Sequence, residues 1–221
     1  MSIISSTTVS CSSCAANGEL KVYRSINVSE DPSLKEKVLD GSLFVWSCPS
    51  CGRMNLTKYE TLYHDPEKKL MVWLIPEGEL DESQSVAIRK HAEAMGGYEL
   101  RRVDSVGDLI EKILLRDAGL EDTVVELCKY VTRAEMATNA QKQGDASSDF
   151  ANLPIHFHAL GEQDGEKFLT LSFPYEGKMA GCNIGFNVYE DCQRILQRNP
   201  SIKTEEGFAK VDAGWLSGFF Q

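Results

Sequence analysis

Two short cysteine pairs, Cys11-Ser12-Ser13-Cys14 and Cys48-Pro49-Ser50-Cys51, constrain the fold of this chain more than any other feature in it. A Cys-x-x-Cys turn aims two sulfurs at one point, and two such turns brought together supply the four thiolates of a closed tetrahedral Zn²⁺ shell. The chain must then return across an interval longer than the roughly 15–20 residues of the compact four-cysteine pattern. Residues 19–27 alternate as a strand leaving the first pair. Asp31-Pro32 offers a cap and a first-turn proline for a helix over residues 33–39, and residues 43–46 read as an apolar strand entering the second pair. The interval is an insertion within a ribbon, and long loops add little closure entropy once a metal clamps their ends.

The residues around the second pair support this reading. Pro49 restricts the backbone, and Gly52 can take the positive φ that turns amides toward the sulfurs. Such amides offset part of the thiolate charge. Cys11, Cys14, Cys48 and Cys51 are thus the expected metal ligands, with structural Zn²⁺ as the ion and iron as the alternative for the same donors. A closed shell offers no position for a substrate, so the metal acts by turning its binding free energy into folding free energy. The run from Trp46 to Cys51 is also similar to the Cys-x-x-Cys of thiol oxidoreductases, which place the first cysteine at the start of a helix. Residues 52–59 favour a turn and a strand, so that helix is not expected.

Further along, residues 58–63 and 70–75 flank a polar turn and predict a β-hairpin. Residues 82–95 are loosely helical up to Gly96-Gly97, and residues 98–103 read as a strand. Ser105 and Asp108 open a helix with an apolar stripe through Leu109 and Ile113, and a second helix follows over residues 122–136. Residues 138–152 are polar and small and predict a long loop or the frayed end of the preceding helix. Residues 155–160 and 167–173 make a second hairpin, and Asn187 caps a helix bearing Val188, Cys192, Ile195 and Leu196. The fold class is α+β, with an elaborated zinc-ribbon-like β module over residues 1–80 and a mixed helix and hairpin region over residues 81–221.

The paired cysteines, the segment Leu39-Asp40-Gly41-Ser42-Leu43-Phe44 leading into Cys48-Pro49-Ser50-Cys51-Gly52, and Tyr63-His64-Asp65-Pro66 with the strand after it resemble the CpXC family. That family is named for its cysteine motif and found chiefly in bacteria. The resemblance runs over about residues 8–130 and implies metal binding by the four cysteines, position by position. It carries no catalytic residue, because the family is uncharacterised. The first pair departs from the pattern of the second in lacking its proline.

Charge narrows the function classes. The net charge is −10, yet residues 1–75 balance eight cations against eight carboxylates, so the excess lies beyond them. A phosphate backbone would be repelled there. Lys21, Arg24, Arg53 and Lys58 are the candidates near the cysteines for nucleic acid, and they are too scattered for a footprint. The start lacks a basic and an apolar leader region, and no stretch approaches the roughly 18 apolar residues of a membrane span, which predicts a cytoplasmic protein away from membranes. Seven cysteines, an odd number, suit a reducing compartment better than a disulfide framework, and Cys128, Cys182 and Cys192 read as buried apolar residues.

His156 and His158 share one strand face at a spacing that can bind metal, but no partner ligand is identifiable in the sequence. His64 in its turn and His91 on its helix read as solvated. Asp164, Glu166, Glu176 and Lys178 could assemble a nuclease-like metal site, which makes a hydrolase or nuclease with a structural zinc module the alternative function. The regular Gly177, Gly181 and Gly185 lack the grammar of a phosphate cradle and read as a loop. Trp215, Leu216, Phe219 and Phe220 pack on their domain or anchor a partner. The function expected is that of a non-catalytic, zinc-stabilised interaction or scaffold protein that binds another protein or itself.

Overall fold

The computed structural model describes residues 2–78, 81–142 and 150–220. The chain divides into two compact units, one running to Ile113 and taking in Glu205–Ala209, the other formed by Leu114–Thr204 and the residues from Lys210 onward. The chain mixes helix with strand, as the sequence predicts.

The first unit is built on a five-stranded sheet. Its strands are β1 (Ile3–Ser10), β2 (Asn17–Asn27), β5 (Thr61–Asp65), β6 (Leu70–Leu74) and β7 (Glu99–Val103), in that spatial order. β1 and β2 form an antiparallel hairpin, β2 runs parallel to β5, and β6 runs parallel to β7. The strand β6 reads Leu-Met-Val-Trp-Leu and is buried throughout. A continuous apolar run of this kind belongs to a strand covered on both faces. Leu70, Val72 and Leu74 join a core with Val22, Ile26, Tyr63 and Leu109, while Met71 and Trp73 join another with Ala92, Leu100 and Phe208.

Between β2 and β5 the chain inserts helix α1 (Ser33–Leu39), a 3₁₀ turn over Ser42–Phe44, and a short hairpin of β3 (Val45–Ser47) and β4 (Met54–Leu56). Helix α2 (Glu82–Met95) starts at Asp81, whose carboxylate accepts from the Ser83 and Gln84 amides. Helix α3 (Val106–Asp117) opens with the expected reciprocal pair: the Asp108 amide donates to Ser105 Oγ at 3.1 Å, and that hydroxyl donates back to the Asp108 carboxylate at 2.6 Å.

Several expectations change here. β1 was not foreseen, because its side chains are nearly all exposed and carry no burial period. Leu43 and Phe44 are buried through the 3₁₀ turn rather than a strand, after Gly41 at φ 73° redirects the chain. The β5–β6 turn occupies residues 66–69, so His64 lies inside β5. The compact unit also extends past the expected 1–80 module, since β7 pairs with β6 along five residues and Leu109 and Ile113 enter the same core.

The second unit holds helix α4 (Asp122–Lys142), a three-stranded antiparallel sheet of β8 (His156–Gln163), β9 (Glu166–Tyr175) and β10 (Lys178–Gly185), then helices α5 (Phe186–Arg198) and α6 (Ala213–Ser217). Val125, Cys128, Leu169, Leu171, Tyr189 and Cys192 are among its buried core. Asp164-Gly165 and Glu176-Gly177 all take positive φ, the geometry of tight hairpin turns. The second of these turns makes Gly177 to Gly185 a turn and a third strand, where a loop was expected. Of the segment 138–152, residues 138–142 continue α4, the helical one of the two alternatives; residues 143–149 lie outside the described residues, and Phe150–Asn152 is a 3₁₀ turn. Helix α5 is capped at Gly185 without a side-chain bond, so Asn187 is not its cap.

Candidate metal centre

Each cysteine pair is the tip of a hairpin. The segment from Cys11 to Ala16 joins β1 to β2 beyond the Ser10–Asn17 pair, and that from Cys48 to Arg53 joins β3 to β4 beyond the Ser47–Met54 pair. The two tips use the same backbone bonds. The Cys11 amide donates to the Ala16 carbonyl at 2.9 Å and the Ala15 amide to the Cys11 carbonyl at 3.0 Å; Cys48 to Arg53 and Gly52 to Cys48 repeat them, both at 2.9 Å. The residue after the second cysteine is left-handed in both, Ala15 at φ 57° and Gly52 at φ 71°. The sequence signalled this only for Gly52.

The tips meet sulfur to sulfur. Cys11 and Cys51 lie 3.6 Å apart, as do Cys14 and Cys48, and all four sulfurs fall within 4.8 Å of one another. The four cysteines are free thiols, two buried (Cys11 and Cys48) and two exposed (Cys14 and Cys51). A tetrahedron with metal–sulfur bonds of about 2.3 Å has edges of about 3.8 Å. The spacing and the all-sulfur donor set therefore fit a thiolate-binding ion.

Neighbouring groups hold the tips and tune the sulfurs. Trp46 on β3 lies against Gly18 on β2 so closely that a Cβ there would overlap its ring. Asn55 on β4 is buried and links the tips. Its Oδ1 accepts from the Ser12 amide at 2.9 Å, while its Nδ2 donates to the Arg53 carbonyl at 2.9 Å and lies 3.8 Å from Cys11 Sγ. Amides of Cys14 and Ser13 bring the Cys11 thiol down to about 6. Burial opposes ionisation at Cys48, but the Cys51 and Ser50 amides outweigh it and lower its pKa. At Cys51 the Arg53 amide favours the thiolate, yet the Cys14 and Cys11 sulfurs push the thiol up to about 12. Four sulfurs this close cannot share negative charge without a cation among them. Asn55, Ala15 and Gly18 escaped the sequence reading; an asparagine four residues after Cys51 was the available signal for the first.

The carboxylates of the nuclease-like candidate are not drawn into one centre. Asp164 and Glu166 sit at one end of β9 and Glu176 and Lys178 beyond the other, roughly 30 Å of extended strand apart. The nuclease-like combination is thereby dispersed. His158 falls at the bulge between Phe157 and Ala159 in β8. His64 is half-buried, and its Nε2 shares a hydrogen bond of 2.9 Å with the Tyr98 hydroxyl. Burial lowers its pKa against the pull of Asp65. His91 is exposed on α2, as expected. Lys21 and Arg24, three residues apart on β2, point to opposite faces of the sheet. Cys128 and Cys192 are buried and Cys182 is intermediate. Leu216 is buried, while Phe219 and Phe220 stay exposed.

Two hairpins that bring four thiols together at their tips, braced by a buried asparagine, define a protein with a four-cysteine cluster able to hold a metal ion. The model of the family described as CpXC protein matches residues 9–129, more than half of the chain. The chain belongs to the CpXC family. No curated protein and no solved structure matches it. No helix among the described residues is long and apolar enough to cross a membrane.

Proposed function

We propose that this protein is a non-catalytic interaction or scaffold protein whose first unit is an elaborated zinc ribbon closed by one structural Zn²⁺ on Cys11, Cys14, Cys48 and Cys51. The observation that carries the reading is the cross-pairing of the sulfurs, each tip giving one buried and one exposed thiol at 3.6 Å from its counterpart. Four protein thiolates fill a tetrahedron, and the ion then cross-links two hairpins far apart in sequence. Zinc is preferred to iron because it brings no redox chemistry to a site whose work is structural. Function belongs to the surface so held, with a protein or a second copy as partner, in a reducing cytoplasm that keeps the thiols free.

The test is an assay of the metal-loaded full chain on generic phosphodiester and ester substrates, beside a Cys11→Ser/Cys48→Ser variant. The reading expects no turnover above the variant and loss of the metal from it. Turnover that tracks zinc content would replace it with the hydrolase alternative.

A further inference from the structure

We propose that the open edge of β4 is a docking strip for an extended, acidic segment of a partner protein, added as a further strand to the β3–β4 ribbon. This rests on the interaction reading above and names the surface and the partner chemistry. Among the described residues β4 has one strand neighbour, β3. The Cys48 amide bonds the Arg53 carbonyl, and the Thr57 amide bonds the Phe44 carbonyl. Both ends of β4 therefore face inward at odd-numbered residues. Alternation then turns the amide and carbonyl of Met54 and of Leu56 toward the free edge.

The side chains on this strip match a strand-like ligand. Met54 and Leu56, two residues apart, stand on one face and are 67% and 66% exposed, while Asn55 between them is buried against the tips. A groove of about 450 Å³ is lined by Met54 and Leu56 together with Val9 and Ser10 of β1. Its lining carries two cations, Arg53 and Lys58, and no carboxylate. Neither cation has an ion pair among the described residues, although the chain as a whole carries a net charge of −10. Main-chain bonds to Met54 and Leu56, apolar contact with their side chains, and carboxylates reaching Arg53 and Lys58 together select an extended segment that alternates apolar and acidic residues. A nucleic acid would use the two cations but not the apolar pair or the strand edge.

The zinc-loaded full chain, labelled for amide NMR, is titrated with four probes. They are a short peptide alternating valine and glutamate, the same peptide with lysine for glutamate, the acidic peptide N-methylated at alternate residues, and a short oligothymidylate. The proposal expects the acidic peptide alone to shift the amides of Met54 through Lys58. N-methylation, Leu56→Glu and Arg53→Glu/Lys58→Glu each lower its affinity about tenfold or more, with zinc content unchanged. Equal binding of the lysine peptide, preference for the oligonucleotide, insensitivity to Leu56→Glu, or shifts at β4 from self-association that the acidic peptide does not displace would each overturn it. No binding by any probe at full zinc content overturns the strip and leaves the metal reading standing. Peptide binding at β4 by a chain that carries no zinc supports the strip and overturns the metal reading.

Discussion

The turn from Cys11 to Ala16 and the turn from Cys48 to Arg53 share two backbone hydrogen bonds and a left-handed residue, but differ in the residues that make the bend easy. The second has Pro49 to restrict the chain and Gly52 to take positive φ without a Cβ. The first places Ala15 in that conformation, at a cost of about 1–2 kcal/mol. Their supports differ in the opposite sense. The first turn closes a hairpin paired from Ser10–Asn17 to Ile3–Ser25, whereas the second closes one with three pairs, Val45–Leu56 to Ser47–Met54. A long ladder can impose a strained bend, while a short one depends on a bend that costs little.

Loss of the ion gives the largest expected effect. Structural zinc contributes on the order of 10 kcal/mol of apparent binding free energy in isolated modules. Chelation is therefore expected to open the β3–β4 hairpin before β1–β2, read as faster amide exchange at residues 45–56 than at residues 17–27; equal exchange would remove the contrast in support. Asn55→Ala is next. It strips the buried link between the tips and is expected to cost about 1–3 kcal/mol and to lower metal affinity about 10- to 100-fold, by denaturation and competition titration.

Substitution at the left-handed positions should give opposite signs. Gly52→Ala is expected to cost about 1–2 kcal/mol, whereas Ala15→Gly relieves a similar strain and loses part of the gain to unfolded-chain entropy, leaving it stabilising by about 1 kcal/mol or less. Equal and destabilising effects at both would show that the bends are not in the same conformation.

Acid gives the smallest effect and separates the thiols from their surroundings. Burial lowers the pKa of His64, so the folded chain holds it neutral while the unfolded chain protonates it near 6.5. Stability from this group is present above about 6.5 and is lost as pH falls from there toward the lowered folded value. Melts of the wild type and His64→Gln across this window should diverge with the wild type losing more, and parallel melts would assign the acid loss to the cysteines.

Much of this was legible because the residues concerned carry local signals. Cys-x-x-Cys at two positions, Gly52 after the second pair and the Ser105–Asp108 box each act within a few residues, whereas α1 is capped at Pro32 without a side-chain bond, so Asp31 is not its cap. The illegible parts depend on tertiary support. β1 has no burial period, Ala15 is left-handed only because a long ladder holds it, and Asn55 matters because folding sets it behind a sulfur forty-four residues away in sequence. Glycine spacing misled at Gly177 to Gly185, where tight turns made a strand of what composition suggested was loop.

The central claim is that four sulfurs share one ion. Elemental analysis of the chain purified under reducing conditions, with X-ray absorption at the metal edge, tests it most directly. The account predicts one zinc per chain in an all-sulfur shell with bonds of about 2.3 Å. A metal-free folded chain with four freely titrating thiols, or a shell containing nitrogen or oxygen, would contradict it.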